Sequence, residues 1–403
     1  GRSLRRLDRL DPDLRQGLAR RLLHGLRDER EPVQERPHRG QDDGGADRLL
    51  RGGERPRHCA AQVPPALHPA RHRRGLLLAE ARDQRRVELF GAGLSAVGFE
   101  AGAAWMGGRL MPVGEAALPV TDWGLIHSDI VYDVVPVWEG AFLRLDRHLD
   151  RFLASVAAAR MSIPEDRAAI RRILHAIAAK SGLASAYVAM VASRGRPADP
   201  RNRDPRFCVN HFFAWCVPYV HVFGAEGAAR GIALHIARDV RRIPPDSVNP
   251  RAKNYHWGDF TQGLFAAKDA GLDNVLLLDH AGAVTEGPGF NVFAVIGGCV
   301  VTPEAGCLEG ITRETALEVA AAAGIVAEVR RLPEAELMEA DEVFVTSSGG
   351  GPVAVVRIDD RVFSNGAEGE VTRRIREGYW ARMRAGPDRE PVDPGALAAL
   401  EAG

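Results

Sequence analysis

Three lysines, Lys180, Lys253 and Lys268, stand against fifty arginines in this sequence. Arginine keeps its proton, whereas lysine can lose one, and only a neutral amine attacks a carbonyl. A chain that writes nearly every cation as Arg draws attention to the places where it keeps Lys. Lys180 closes the helix-like run PEDRAAIRRILHAIAAKSG, and Lys268 lies late in TQGLFAAKDAG. A cation near a helix C-terminus is accounted for by the helix dipole. Lys253, in VNPRAKNYHWGDF, follows an Asn-Pro turn and precedes Asn254, Tyr255 and Trp257 in what reads as strand or loop. Helix chemistry leaves it unexplained, so it is the candidate nucleophile.

A lysine of this kind forms Schiff bases with carbonyls and with pyridoxal phosphate, PLP. Such a site needs an anion pocket for the phosphate, a carboxylate for the pyridine nitrogen and a wall under the ring. EGITRET places Gly310, Ile311 and Thr312 at a helix start, where free N–H groups and the dipole favour an anion. TSSGGG offers the Ser347 and Ser348 hydroxyls beside a glycine-rich backbone, and Arg151 in HLDRF could give a bidentate contact. Each has a plainer reading: Thr312 as an N-cap, Arg151 on a solvated helix face. Glu286, in VTEGPGFNVF, lies between apolar runs beside Gly287 and Gly289, which would let a flat ligand approach the backbone. The plainer reading is a turn glutamate between turn glycines.

The elements that must position these residues begin near residue 96. Residues 1–90 lack Lys, Ile, Asn, Thr, Tyr, Trp and Met, and hold 21 Arg against 14 acids. With so little to bury, 1–95 is expected to be a disordered or non-native Arg-rich leader. AWMGGRLMPV reads as a hairpin, and RLDRHLDRFLASVAAARM as a helix with Leu149, Phe152, Leu153 and Val156 on one stripe. SAYVAMVAS and HFFAWCVPYVHVF read as strands of one sheet. GAEGAARG, 224–231, reads as a linker. Beyond it come the strand IALHIA, the helix of Lys268, two hairpins over NVLLLDHAGAVTEG and FNVFAVIGGCVVTP, a helix opened by Thr312, and the strand EVFVTSSGGG. The fold class is α/β (α+β): a small domain over 96–223, a linker, and a larger domain over 232–403.

Composition narrows the function class. The formal net charge is zero and 45% of residues are apolar, so neither nucleic acid nor a membrane surface is an expected partner. The five cysteines form no CxxC pair, which speaks against zinc and a disulfide scaffold and for a reducing, cytoplasmic setting. No apolar run reaches the ~18 residues of a membrane span, and the start lacks the apolar core of a signal peptide.

Over about residues 96–385 the sequence resembles the fold-type IV (class IV) PLP aminotransferases. That family includes branched-chain and D-amino acid aminotransferases and (R)-selective amine transaminases; the match looks closest to the last group. The resemblance rests on HSDIVYDVVPVWEGAFLRLDRHLDRFLAS, VRRIPPDSVNPRAKNYHWGDF, VTEGPGFNVF, TPEAGCLEGITRETA and EGYW. It implies that Lys253 is the Schiff-base lysine and the base of the proton shift. It implies that Glu286 meets the pyridine nitrogen, that Arg151, Ile311, Thr312 and Ser348 hold the phosphate with Ser347 close by, and that Leu308 lies against the ring. It further implies that His127, Tyr132 and Trp257 shape the substrate pocket, and that the enzyme is a homodimer whose partner completes that pocket. SRGRPADPRNRDPRF occupies the place of a mobile carboxylate-binding arginine in that family; Arg196, Arg201 and Arg203 compete for it, and Arg201 lies nearest. The chain departs from the family at Tyr255, at His256 and in Ser348-Gly349-Gly350-Gly351-Pro352-Val353-Ala354, where Thr-Ala-Gly-Gly, an apolar pair and Pro are usual.

The expected activity is transfer of an amino group from a primary amine or amino acid to a 2-keto acid, pyruvate or 2-oxoglutarate. A branched-chain or D-amino acid aminotransferase is the alternative. An aminodeoxychorismate lyase-like enzyme, an inactive PLP-binding homologue and a nucleic-acid role for the Arg-rich leader stand further off.

Overall fold

The computed structural model describes residues 98–402. All of them fall in one compact unit, Pro69–Gly403. The expected leader, 1–95, lies outside the described residues.

The chain opens with the hairpin β1 (Ala103–Met106) and β2 (Arg109–Pro112), turned by Gly107 and Gly108, both at positive φ. A short helix α1 (Trp123–His127) leads into β3 (Ile130–Trp138) and β4 (Ala141–Leu143). Helix α2 (Leu145–Ala158) buries Leu149, Phe152 and Val156 on the expected stripe, while Leu153 is only partly covered. Helix α3 (Arg167–Ser181) is capped by the Asp166 carboxylate, which accepts from Ala169 N at 2.7 Å, and ends at Gly182 in the left-handed region. Strands β5 (Ala186–Pro197) and β6 (Cys208–Pro218) follow.

Residues Gly224–Arg230 form a helix, α4, where the sequence suggested a linker. Its alanines and Glu226 favour a helix, and its flanking glycines, Gly224 at φ +70° and Gly231 at φ +80°, make the turns at either end. Then come β7 (Ile232–Arg241), α5 (Gly258–Asp269), β8 (Asn274–Leu278), β9 (Glu286–Gly287), β10 (Phe290–Ile296) and β11 (Cys299–Pro303). After α6 (Ile311–Ala322) lie β12 (Ala327–Arg330), α7 (Glu334–Met338), β13 (Glu342–Ser347), β14 (Gly351–Ile358) and β15 (Arg361–Val362). Helix α8 (Glu370–Ala385), β16 (Arg389–Pro391) and α9 (Gly395–Ala402) finish the chain. Lys180 sits in the last turn of α3 and bonds Glu401 at 2.8 Å; Lys268, in the last turn of α5, donates to the Asp273 carbonyl.

These strands make two sheets. The first has the order β16-β4-β3-β5-β6-β1-β2, all antiparallel. The second runs β12-β11-β10-β13-β14-β7-β8, with β15 beside β14 and β9 beside β10, and mixes parallel and antiparallel pairs. The mixed α/β class expected from the sequence is therefore present. One boundary differs: β16 pairs with β4 and α9 packs on α3, so the last residues belong with the first sheet and not with 232–403. The Glu390 carboxylate holds that return, meeting Arg171 and His175 of α3.

Strand β3 decides which side chains meet the site. Its alternate residues Val131, Val135 and Val137 pack under α2 and α3, while Ile130, Tyr132 and Val134 face the other way. Asp133 falls in the helix-facing set and is fully buried.

Candidate active site

A cavity of about 320 Å³ lies where the two sheets meet. Its walls bring together Lys253, Glu286, Arg151, Leu308, Ile311, Thr312, Ser347 and Ser348, with Tyr132 and Trp257 on the same surface. These residues come from β3, α2, the loop before α5, β9, the start of α6 and the end of β13. His127 and Arg201 are not among the lining residues. His127 is exposed and packs on Trp123, and Arg201 is 89% exposed and paired with Asp199.

Lys253 is in loop, as its Asn-Pro context suggests, and its backbone is held at both polar groups. Its N–H donates to Ser155 Oγ at 3.1 Å, and its carbonyl accepts from Tyr132 N at 3.0 Å. The side chain passes over the Tyr132 ring, with Nζ 4.5 Å from the centroid. Among the described residues Nζ has no hydrogen-bond partner. Burial, with the Arg151 charge nearby, pulls its pKa down from 10.5 to about 8. A useful fraction of the amine is thus neutral near neutral pH.

Arg151 does not lie on a solvated helix face. Its Nε and Nη2 donate to Asp133 Oδ2 and Oδ1 at 2.7 and 2.8 Å, and Nη1 donates to the Glu309 carbonyl at 3.1 Å. His148 Nδ1, one turn earlier on α2, meets Asp133 Oδ1 at 2.8 Å. Burial lowers the His148 pKa, so the ring is neutral and donates. Burial works to raise the Asp133 pKa, but Arg151 and His148 outweigh it and hold the carboxyl well below its ordinary range. This fixes the guanidinium at the edge of the cavity and leaves Nη1 with a spare N–H.

The α6 terminus also differs from its expected form. Gly310 is the N-cap, with no side-chain cap, and Thr312 is the second helical residue. The Ile311 and Thr312 N–H groups therefore have no partner within the helix, and both residues line the cavity together with Arg151. A Cβ at Gly310 would fall 2.1 Å from Asn291 Oδ1, so a side chain there would displace the Asn291 amide that bonds the Leu308 carbonyl. Arg144, the N-cap of α2, sits at φ +53° and reaches across to Thr315 Oγ1 at 2.9 Å and Glu318 at 3.0 Å. Arg147 adds a bridge to Glu314. These contacts tie α2 to α6 and so set Arg151 relative to Thr312.

Glu286 is buried. Its Oε2 accepts from Leu308 N at 2.9 Å, and its Oε1 accepts from Arg242 Nε and Nη2 at 3.3 and 3.2 Å. Burial raises its pKa, and Arg242 opposes that rise. Thr346 Oγ1, on the same cavity surface, is buried without a partner.

The residues fit pyridoxal phosphate. There is a half-buried amine without a partner among the described residues, a buried carboxylate on the same cavity, an open helix N-terminus and a guanidinium, and hydroxyls at Ser347 and Ser348. The sequence overlooked Asp133, His148, Arg242 and Asp259. A signal existed for Asp133, since IVYDVVPVW places one charge inside an otherwise apolar strand. It also existed for His148, which shares a helix face with Arg151 at i, i+3.

Residues 130–358 match the amino-transferase class IV family. The chain is 30% identical over 278 residues to a putative branched-chain-amino-acid aminotransferase of Methanocaldococcus jannaschii, covering 68% of this chain and 94% of that protein. A D-alanine aminotransferase of Listeria innocua is 26% identical over 282 residues, 66% of this chain and 91% of that protein. Among solved structures, a T.th. branched-chain amino acid aminotransferase with pyridoxamine 5'-phosphate superposes with a TM-score of 0.67 at 27% identity, covering 73% of this chain and 99% of that one. Among the described residues no helix is long and apolar enough to cross a membrane, and no cluster could hold a metal ion. The chain belongs to the class IV aminotransferase family and is a PLP-dependent transaminase.

Proposed function

We propose that this chain moves an amino group between an apolar amino acid and a 2-keto acid, with Lys253 as the residue that holds the cofactor aldehyde and carries the proton. The observation that carries this reading is the unpaired Lys253 amine, its pKa brought to about 8, in one cavity with Glu286 and the open end of α6. The cofactor supplies an electron sink that stabilises the carbanion formed when the donor carbon loses its proton. Arg151, Ile311, Thr312, Ser347 and Ser348 would hold the phosphate, Leu308 would lie against the ring, and Glu286 would keep the ring nitrogen protonated. Lys253 Nζ takes the proton from the donor carbon and returns it to the other side of the transfer. The Tyr132, Tyr187 and Trp257 walls favour an apolar donor side chain, in keeping with the names of the branched-chain relatives.

A primary (R)-amine is the second reading. Of the two guanidiniums that line the cavity, Arg242 is shared by Asp259 and Glu286, and Arg151, paired with Asp133, would give its remaining N–H to the phosphate, so neither is left for a donor carboxylate. A homodimer suits His127 and Arg201. They lie outside this cavity, near the exposed apolar residues Leu125, Ile126, Phe207 and Val209, and would serve the partner's pocket. We assign a small lobe over 96–223 and a large one from 232, the end of the chain excepted. The four described cysteines are free thiols, which suits a cytoplasmic enzyme.

The test is an absorbance titration of the cofactor-loaded protein with L-leucine, D-alanine, an (R)-amine and its (S)-enantiomer. Conversion by an amino acid supports the first reading, and conversion by the (R)-amine alone moves the assignment to the second. If no donor converts the cofactor, and Lys253→Ala leaves its absorbance unchanged, the assignment of Lys253 is wrong.

A further inference from the structure

We propose that Arg242 is a positioning residue that sets the charge of Glu286 toward the ring nitrogen and at the same time pins the loop that carries Lys253, with Asp259 tuning how much of its charge Glu286 receives. The proposal rests on the reading that Glu286 faces the cofactor nitrogen.

Arg242, Asp259 and Glu286 are all buried. Arg242 Nη1 donates to Asp259 Oδ2 at 2.7 Å, while its contacts to Glu286 Oε1 are longer, 3.2 and 3.3 Å. The guanidinium also lies 4.1 Å from the Phe260 ring centroid, so its plane is clamped. Two carboxylates share one guanidinium. The cluster therefore carries a net negative charge in a buried place, which a cation on the cavity side would neutralise. A protonated ring nitrogen is such a cation. The unequal sharing matters, because Asp259 takes the shorter bond and leaves Glu286 with the longer contacts to the guanidinium.

The same residues frame the lysine loop. Arg242 follows β7 before the loop and Asp259 lies in the first turn of α5 after it, and Ile243 N donates to Asp259 Oδ2 at 2.9 Å. Removing the guanidinium would loosen the loop ends and uncouple Glu286 together. Other charged or titratable groups that act on Glu286 are Lys253 from the loop, Tyr132 from β3 and Cys307 before α6, with Leu308 N–H on its second oxygen. Of the cations, Arg242 alone is hydrogen-bonded to it. Burial pushes the carboxyl toward the neutral form, and Arg242 is the strongest influence against that.

Charge tuning and mere packing separate by sign. Arg242→Met should raise the Glu286 proton affinity, and Asp259→Asn, which frees Arg242 to bond Glu286 more fully, should lower it. The experiment follows the pH dependence of the cofactor absorbance in the loaded proteins, and the Kd of each apoprotein for pyridoxal 5'-phosphate across the same pH range. The expected result is that Arg242→Met moves the acid limb of both up by about one pH unit or more. Asp259→Asn should move it down, and Arg242→Lys should bring it back toward wild type. If all variants keep the wild-type pH dependence and differ only in melting temperature, Arg242 is a packing residue and the proposal falls. If Arg242→Met does not fold, Asp259→Asn decides the matter: a downward displacement with Arg242→Lys near wild type supports the proposal, and no displacement overturns it. Glu286→Gln is the control: if it leaves the pH dependence unchanged, the failure lies in the role given to Glu286 and not in Arg242.

Discussion

Replacing the lysine at the centre of the site should make the cofactor-free protein more stable. The Lys253 amine has an ordinary pKa of 10.5 and a folded value of about 8. At 1.36 kcal/mol per unit, that gap destabilises the folded apoprotein by about 3 kcal/mol, an upper bound because the amine faces a cavity that water can enter. Below pH 8 both folded and unfolded chains carry the charge, and the full penalty is present. Between about 8 and 10.5 the unfolded chain binds more protons than the folded one, so stability rises with pH, and above that window the penalty is gone. Lys253→Met keeps the apolar stem and removes the charge. It forfeits the contact with the Tyr132 ring, worth about 0.5–1 kcal/mol. The expected net gain at pH 7 is about 2 kcal/mol. Urea unfolding of the two apoproteins from pH 7 to 11 measures it: the midpoint difference should be largest at pH 7 and shrink through the window, with equal slopes. A variant less stable than wild type at pH 7, or one whose stability tracks pH just as wild type does, refutes the reasoning. Adding pyridoxal 5'-phosphate should reverse the order, since under the proposed role of Lys253 only the wild type attaches it covalently, and ligand binding stabilises by mass action.

Asp133→Asn leaves the Arg151 guanidinium buried against a neutral partner. It should lower stability by about 3 kcal/mol in urea unfolding and weaken cofactor affinity in the same protein. Because Arg151 and His148 depress the Asp133 pKa, its contribution is complete at neutral pH and is lost only as pH falls through the folded value; the Asn variant should lack that acid loss. Gly349→Ala places a Cβ 2.6 Å from the Val220 carbonyl, which is backbone and cannot swing aside. Displacement of the Ser347–Ser348 loop should appear as a higher Kd for pyridoxal 5'-phosphate. Arg201→Ala should leave cofactor affinity unchanged and raise KM for the 2-keto acid; unchanged KM would remove Arg201 from the site.

Rarity and context were enough to isolate Lys253: it is a lysine outside any helix terminus in a chain of arginines. Local pattern likewise sufficed for the stripe of α2, the run that forms α3 and the Gly297–Gly298 hairpin, because period and turn chemistry act over a few residues. The helix over 224–230 was not legible because glycine at helix ends and glycine in a linker look alike in sequence. Thr312 likewise passes for an N-cap until the backbone of Gly310 shows where the helix starts.

Pairings across distance were not legible. Nothing in the sequence says that Asp133 lies under α2 and meets Arg151. That follows from the alternation of β3 combined with the packing of α2 on that particular face. Nor does it say that Arg242 is shared by Asp259 and Glu286, or that β16 returns to the first sheet. The sequence by itself determined the mixed α/β class and, through its resemblance to the class IV aminotransferases, the cofactor chemistry, and it singled out Lys253 as the candidate lysine, since a short motif is carried by residue type and short-range order. The tertiary structure decided which charges are buried together and which guanidiniums are already engaged, because burial and electrostatic pairing depend on contacts between segments far apart in the chain.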